Sequence, residues 1–186
     1  MTDWKVRLAN PEDAERISEM AYPFRNDVSP YVLAPDRVRT YIDEWLVAED
    51  LSYTIPVFHK DIDGSEYCTD EYFIGGALHF VAKKTLRNYN YLKMLKQVDP
   101  DIVEEWYNSD AIFMSQPTCP GKGSLRAIAD YLKEARLPLW CWLSVKSPVR
   151  KFYEEQLGFK FGPGTYHFWN AIKGDYSDFG VGVWTP

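Results

Sequence analysis

Cysteine is scarce in this chain, and the little there is forms no metal-like or disulfide-like spacing. Cys68, Cys119 and Cys141 are an odd number, so a reduced, intracellular setting is expected and no metal site. Nothing in the sequence resembles a nucleophile–histidine–acid triad. Long apolar runs are missing, as are a signal peptide and a lipidation motif, so the expectation is a cytosolic protein with no membrane partner. Internal repeats and low-complexity linkers are missing too. The 186 residues therefore read as one domain, 1–186. Basic residues are outnumbered: 21 Lys and Arg against 27 Asp and Glu leave a net charge of −6. That counts against a nonspecific nucleic-acid binder, which needs a basic face to displace counterions. It suits a basic substrate such as an amine.

Aromatic residues are plentiful at 16%, with 7 Trp and 13 Tyr; such rings fill cores and line pockets. The informative stretch runs from Asp110 to Phe161. An apolar run, Ala111 to Met114, leads into the loop Thr118-Cys119-Pro120-Gly121-Lys122-Gly123-Ser124. A helical pattern leaves it, with Leu125, Ile128, Ala129, Leu132 and Ala135 on one face. Glycines let backbone approach an anion closely, and a helix start offers unpaired N–H groups at the positive end of a dipole. Lys122 adds charge to that loop. Cys119 beside the helix start reads as a reactive thiol or as a small loop residue.

The remaining elements follow from period and punctuation. Trp4 to Leu8 reads as a strand, and Asn10 then caps a helix with Pro11 at its first position and Ile17, Met20 and Ala21 on its apolar side. A second helix is expected from Asp36 to Val47, with Val38, Ile42, Trp45 and Leu46 inward. A hairpin pairs Ser52–His59 with Glu71–Ala82 across the turn at Asp61 to Gly64, and Gly75-Gly76 marks a bulge or a close backbone approach. Pro138 opens the run Leu139 to Val145, which reads as a central strand buried on both faces. Ser147-Pro148 opens a helix, and strands over Phe161–Ile172 and Tyr176–Trp184 close the chain.

The order strand, G-x-G loop, helix, strand, then Phe152-Tyr153-Glu154-Glu155-Gln156-Leu157-Gly158-Phe159, together with the opening Val6-Arg7-Leu8-Ala9-Asn10-Pro11-Glu12-Asp13, resembles the GNAT superfamily of acyl-CoA-dependent N-acyltransferases. The resemblance implies an α/β fold: a mixed, mostly antiparallel central sheet of six or seven strands flanked by about four helices. One departure is a helical insertion at about 83–108, a segment suited to substrate specificity or oligomerisation, such as a homodimer.

The implied activity is transfer of an acetyl group from acetyl-CoA to a primary amine of a small molecule or peptide, directly within a ternary complex. By the same resemblance Thr118, Cys119, Gly121, Lys122, Gly123 and Ser124 would hold the pyrophosphate. Met114, Ser115 and Gln116, with Leu143 to Val145 and Lys146 opposite, would hold the pantetheine arm. Tyr153 would protonate the leaving thiolate, and Phe24 and Tyr31 would wall the acceptor pocket. The family's loop pattern, Arg or Gln, two residues, Gly, one residue, Gly or Ala, is not met in full. Thr118 or Pro120 falls at its first position, depending on which glycines align. The general base is open among His79, Glu71, Asp110 and His167, since counting back from Tyr153 reaches only Cys141. His79 has the right intrinsic pKa. Two alternatives stand beside this reading. One is an enzyme of the same fold that modifies a nucleic-acid base, with Lys83, Lys84, Arg87, Lys93 and Lys96 as a local basic face. The other is an acyl-CoA-binding module without turnover.

Overall fold

The structure, a computed structural model, describes residues 3–24, 34–82, 110–162, 164–170 and 175–186. Tyr31 and the 83–108 insertion lie outside the described residues, as do the side chains of Phe24 and Gln116. The frame is an eight-stranded sheet in the order β1-β2-β3-β4-β5-β8-β6, with β7 pairing β8. The strands are β1 Trp4–Leu8, β2 Trp45–Lys60, β3 Glu66–Ala82, β4 Ile112–Thr118, β5 Leu139–Ser144, β6 Lys160–Phe161, β7 Tyr166–Asn170 and β8 Asp175–Trp184. The α-helices are α1 Ala14–Ala21, α2 Pro35–Thr40, α3 Ser124–Lys133 and α4 Arg150–Glu155. Every pairing is antiparallel except β4 with β5. A parallel neighbour needs a crossover, and α3 supplies it. The mixed, mostly antiparallel sheet is as expected, with one strand more than the sequence suggested.

Cores lie on both faces of the sheet. On one, Leu46, Ala48, Leu78 and Met114 pack with Ile128, Ala129 and Leu132 of α3 and with Tyr153 and Leu157 around α4. On the other, Trp45, Val47, Ile74 and Ala77 pack with Ile17, Met20 and Ala21 of α1 and Val38 of α2. These memberships alternate along Trp45 to Ala48, a period of two that belongs to a strand. The expected helix Asp36–Val47 is therefore corrected: α2 stops at Thr40, a 3₁₀ turn spans Ile42–Glu44, and β2 begins at Trp45. A run buried on both sides reads equally as helix or central strand by periodicity, and pairing with β1 and β3 decides for the strand.

Arg7 ties β1 to the first helical segment and to β2. Its Nε donates to Glu49 at 2.6 Å, and its terminal nitrogens donate to Asp13 at 2.7 and 3.1 Å. Both carboxylates are buried. The Asp13 carboxylate also accepts the Asn10 N–H at 2.6 Å, which fixes the helix start.

The β2–β3 hairpin outruns the sheet. Asp50 pairs with Phe73 and the next pair is Thr54 with Tyr72, so Leu51, Ser52 and Tyr53 bulge out at the base of an arm. Beyond that bend, among the described residues, Thr54–Lys60 and Glu66–Tyr72 pair only with each other. The second strand, expected from Glu71, begins at Glu66. Glu66 to Asp70 lack apolar alternation, and among the described residues nothing covers either side of them.

Candidate active site

Three local features open the sheet between β4 and β5. Their parallel register holds for three pairs, Ile112 with Leu139, Phe113 with Trp140 and Met114 with Cys141. Both strands then continue without pairing each other, β4 to Thr118 along β3 and β5 to Ser144 along β8. At the point of divergence β4 carries a bulge: His79 pairs with Ser115 and Leu78 with Pro117, leaving Gln116 as the extra residue. A bulge bends its strand and increases the local twist, which turns β4 away from β5. The backbone edges of Ser115–Pro117 and Trp142–Ser144 face this gap.

The loop after β4 is bound to a second bulge. Gly76 pairs with Ala48 and Ile74 with Glu49, so Gly75 is unpaired. Its carbonyl accepts the Gly121 N–H at 2.8 Å. A Cβ at Gly75 would meet the Trp4 ring at 2.5 Å, and one at Gly76 would meet Ser124 Oγ at 2.6 Å. Both halves of the bulge-or-close-approach expectation therefore hold at this glycine pair. Gly123, with φ of 96°, is the left-handed turn into α3.

Several loop groups are engaged inward. The Thr118 hydroxyl donates to the Ala77 carbonyl at 3.4 Å, the Cys119 thiol approaches the same oxygen at 3.5 Å, and Ser124 Oγ donates to the Gly121 carbonyl at 2.7 Å. The Ser124 N–H also bonds Gly121, and Pro120 has no N–H. An anion would meet the N–H groups of Lys122, Gly123 and the first turn of α3, where a helix has no acceptor of its own. Lys122 and Lys146 are exposed. Cys119 is no reactive thiol: burial pushes it up to about 12. Cys141 is buried and raised by the same cause.

Tyr153, on α4, is fully buried against Phe159 and in the core shared with Met114 and Cys141. Burial pushes its phenol well above 10, and the neighbouring thiols of Cys141 and Cys119 push the same way. His79, on β3, sits on the opposite face of the sheet. Its ring lies 5.2 Å from that of Trp45, and its Nε2 is 3.1 Å from Glu44. Its Nδ1 is buried without a hydrogen-bond partner. Burial lowers its pKa, against the opposing pull of Glu44. The other candidate bases lie elsewhere: Glu71 on the arm beside His59 at 2.9 Å, and His167 on β7, 2.5 Å from Asp178. Asp110 is exposed before β4.

The site thus gathers Met114, Ser115 and the loop at one gap, with Tyr153 and His79 on its two sides. Two contributors were missed in the sequence. Glu44 was assigned to the interior of a helix, and Trp4 covers the loop glycines across a sequence distance that no local pattern signals. Glu15, Ser18 and Glu19 of α1, Tyr22 just after it and Pro35 at the start of α2 line a cleft. Among the described residues no group of side chains is arranged to hold a metal ion, and no helix is long and apolar enough to cross a membrane.

No family model matches this sequence, and no curated protein matches it. Solved structures do. A putative acetyltransferase, yncA, from Salmonella typhimurium with its cofactor acetyl-CoA is 12% identical with a TM-score of 0.58, over 98% of this chain and 93% of that one. NAA60 from Arabidopsis thaliana in complex with a bisubstrate analogue is 12% identical with a TM-score of 0.56, over 98% of each chain. A GNAT-family acetyltransferase from Bacillus anthracis is 10% identical with a TM-score of 0.58, over 100% of this chain and 96% of that one. Likeness of this extent at such low identity is likeness of architecture, and the chain has the fold of the GNAT acetyltransferases.

Proposed function

We propose that this protein is an acyl-CoA-dependent N-acetyltransferase that acetylates a primary amine of a small molecule or peptide in a ternary complex. The observation that carries the reading is the gap between β4 and β5, with a phenol on one face of the sheet and a buried imidazole on the other. Such a gap lets donor and acceptor meet through the sheet, each with its own proton-handling group. Acetyl-CoA supplies the activated acetyl group as a thioester; neighbours of this fold carry it.

The chain's residues fit that group. Backbone left unpaired toward β5 at Ser115 and Gln116, next to Met114, which is held by Phe80 and Cys141, binds the amides of the pantetheine arm, and an N–H there polarises the carbonyl that becomes an oxyanion. Lys122, Gly123 and the start of α3, with Lys122 and Lys146 as cations, hold the phosphates, while Gly121, its N–H bound to the Gly75 carbonyl, fixes the loop. Thr118, Cys119 and Ser124 serve this by fixing the loop on β3 rather than by touching the anion. Tyr153 retains its proton at any working pH and delivers it from its hydroxyl to the departing thiolate. His79, kept neutral by burial, takes a proton at Nδ1, since Nε2 faces Glu44. The overall charge of −6 suits a cationic acceptor and disfavours a nucleic acid; the cleft carboxylates Glu15 and Glu19 are already paired with Arg39 and Arg16. The inward engagement of the Gly121 and Ser124 N–H groups favours a second reading, binding without turnover.

Thermal melting with saturating acetyl-CoA, with ATP and with buffer separates these. Ligand at a hundredfold over Kd adds roughly 2.7 kcal/mol, a rise of roughly 5–10 °C in a chain of this size. A rise with acetyl-CoA alone, followed by amine-dependent thiol release, is the expected result. A rise without thiol release across an amine panel selects the binding module, and no rise removes both readings.

A further inference from the structure

The distal β2–β3 arm plays no part in the site above, and it is built unlike a spacer. Two-stranded ribbons are marginal in water on their own, yet this one exposes large apolar side chains. Phe58 is 78% exposed and Ile62, at the tip, fully so; Tyr67 and Tyr72 are also exposed. Among the described residues both outer edges are open: β1 pairs β2 only up to Asp50 and β4 pairs β3 only from Ala77 on. Open edges are usually blunted by proline, lysine or bulges. The β2 edge has Pro56, Lys60 and the bulge at its base. The β3 edge, Glu66 to Tyr72, has none of these.

Cross-strand pairing shows what that edge presents. Cys68 lies opposite Phe58, Asp70 opposite Pro56 and Tyr72 opposite Thr54, so Glu66, Cys68, Asp70 and Tyr72 share one face. Acidic and apolar side chains alternate along it, and Asp70 has no cation across from it. On the reverse face Glu71 is already held by His59 and Thr69. A strand laid beside β3 would also lie in line with β4, which occupies the same edge from Ala77 on and ends at Thr118 beside the Gly121 turn.

We propose that the outer edge of β3 from Glu66 to Tyr72 is a docking strand for an extended basic polypeptide. Cations of that polypeptide pair with Glu66 and Asp70, and its apolar side chains lie against Cys68 and Tyr72. Main-chain hydrogen bonds to an open edge give affinity, and alternate side chains give register. A second copy of this chain is the poorer occupant: its arm carries one lysine, Lys60, against Asp61, Asp63, Glu66, Asp70 and Glu71, and like charges placed opposite each other repel.

The test is fluorescence anisotropy without acetyl-CoA, so that its failure leaves the acetyltransferase reading untouched. The probes are fluorescein-labelled octapeptides, Lys-Thr-Leu-Thr repeated twice and Glu-Thr-Leu-Thr repeated twice. The wild-type protein is expected to prefer the lysine peptide by about tenfold or more, with binding weakened by salt. Glu66→Lys combined with Asp70→Lys, both exposed sites, should reverse that preference while the circular dichroism and Tm stay unchanged. Equal affinity for the two peptides, no binding at millimolar concentration, or an unchanged preference in the double variant overturns the proposal. So does self-association in light scattering that Phe58→Ser abolishes, which would make a second copy the occupant.

Discussion

Burial acts on the two proton-carrying side chains of the site in opposite senses. Removing water favours the uncharged form, so Tyr153 keeps its proton and His79 loses its own more readily. Tyr153→Phe preserves the ring packed against Phe159 and deletes only the hydroxyl. It is expected to lower kcat by about 10²–10⁴, the range of general acid catalysis, with little change in the urea midpoint. Unchanged turnover would take Tyr153 out of the mechanism. For His79 the consequence is a pH dependence of stability. The unfolded side chain titrates near 6.5 and the folded one below that. In the window between them the unfolded chain binds more protons, so this contribution to stability is full above about pH 6.5 and declines as pH falls through the window. His79→Gln should flatten that part of a Tm-against-pH curve; a curve unchanged by the substitution would show that His79 titrates freely.

At the level of elements, the start of α3 is positioned by contact with the β3 bulge rather than by its own sequence. Gly76→Ala would drive a Cβ to 2.6 Å from Ser124 Oγ and 2.7 Å from its Cβ. We expect about 1–3 kcal/mol of destabilisation, as for overpacked cores, read from urea unfolding, together with weaker acetyl-CoA binding because the loop shifts. Full affinity in a destabilised variant would mean that the loop does not hold the cofactor. Such contacts explain which elements were legible in the sequence. The α3 face, the loop and the Phe152–Phe159 segment announce themselves through spacing within a few residues, and the β3 bulge through its paired glycines. Trp45 to Val47 do not, because burial on both sides erases the period that separates strand from helix. Nor does the Gln116 bulge, which is a property of how β3 and β4 align. The opening at the heart of the site is thus a matter of register, and register between distant strands leaves no local trace.

Across the whole molecule, one sheet carries both cores, and the Arg7 cluster is where its first strand, the first helical segment and β2 are locked together. Asp13 and Glu49 have side chains 8% and 9% exposed, and Arg7 answers both at once, with the exposed Lys5 a second, longer partner of Glu49 at 3.5 Å. Breaking a buried ion pair by removing one partner is worse than replacing it altogether, since an uncompensated charge stays behind. Arg7→Leu should therefore cost about 3 kcal/mol or more, and Glu49→Gln in the same chain should restore part of that loss by removing one stranded carboxylate. Because the two cores share strands β2 and β3, the loss should be felt by both. Far-ultraviolet dichroism and tryptophan fluorescence are expected to report one shared unfolding midpoint in wild type and variant alike. Two separated midpoints in Arg7→Leu would show that the faces of the sheet unfold independently and that the cluster stabilises only the α1 side. A single lowered midpoint would place the coupling in the strands themselves, whose side chains alternate between the two cores.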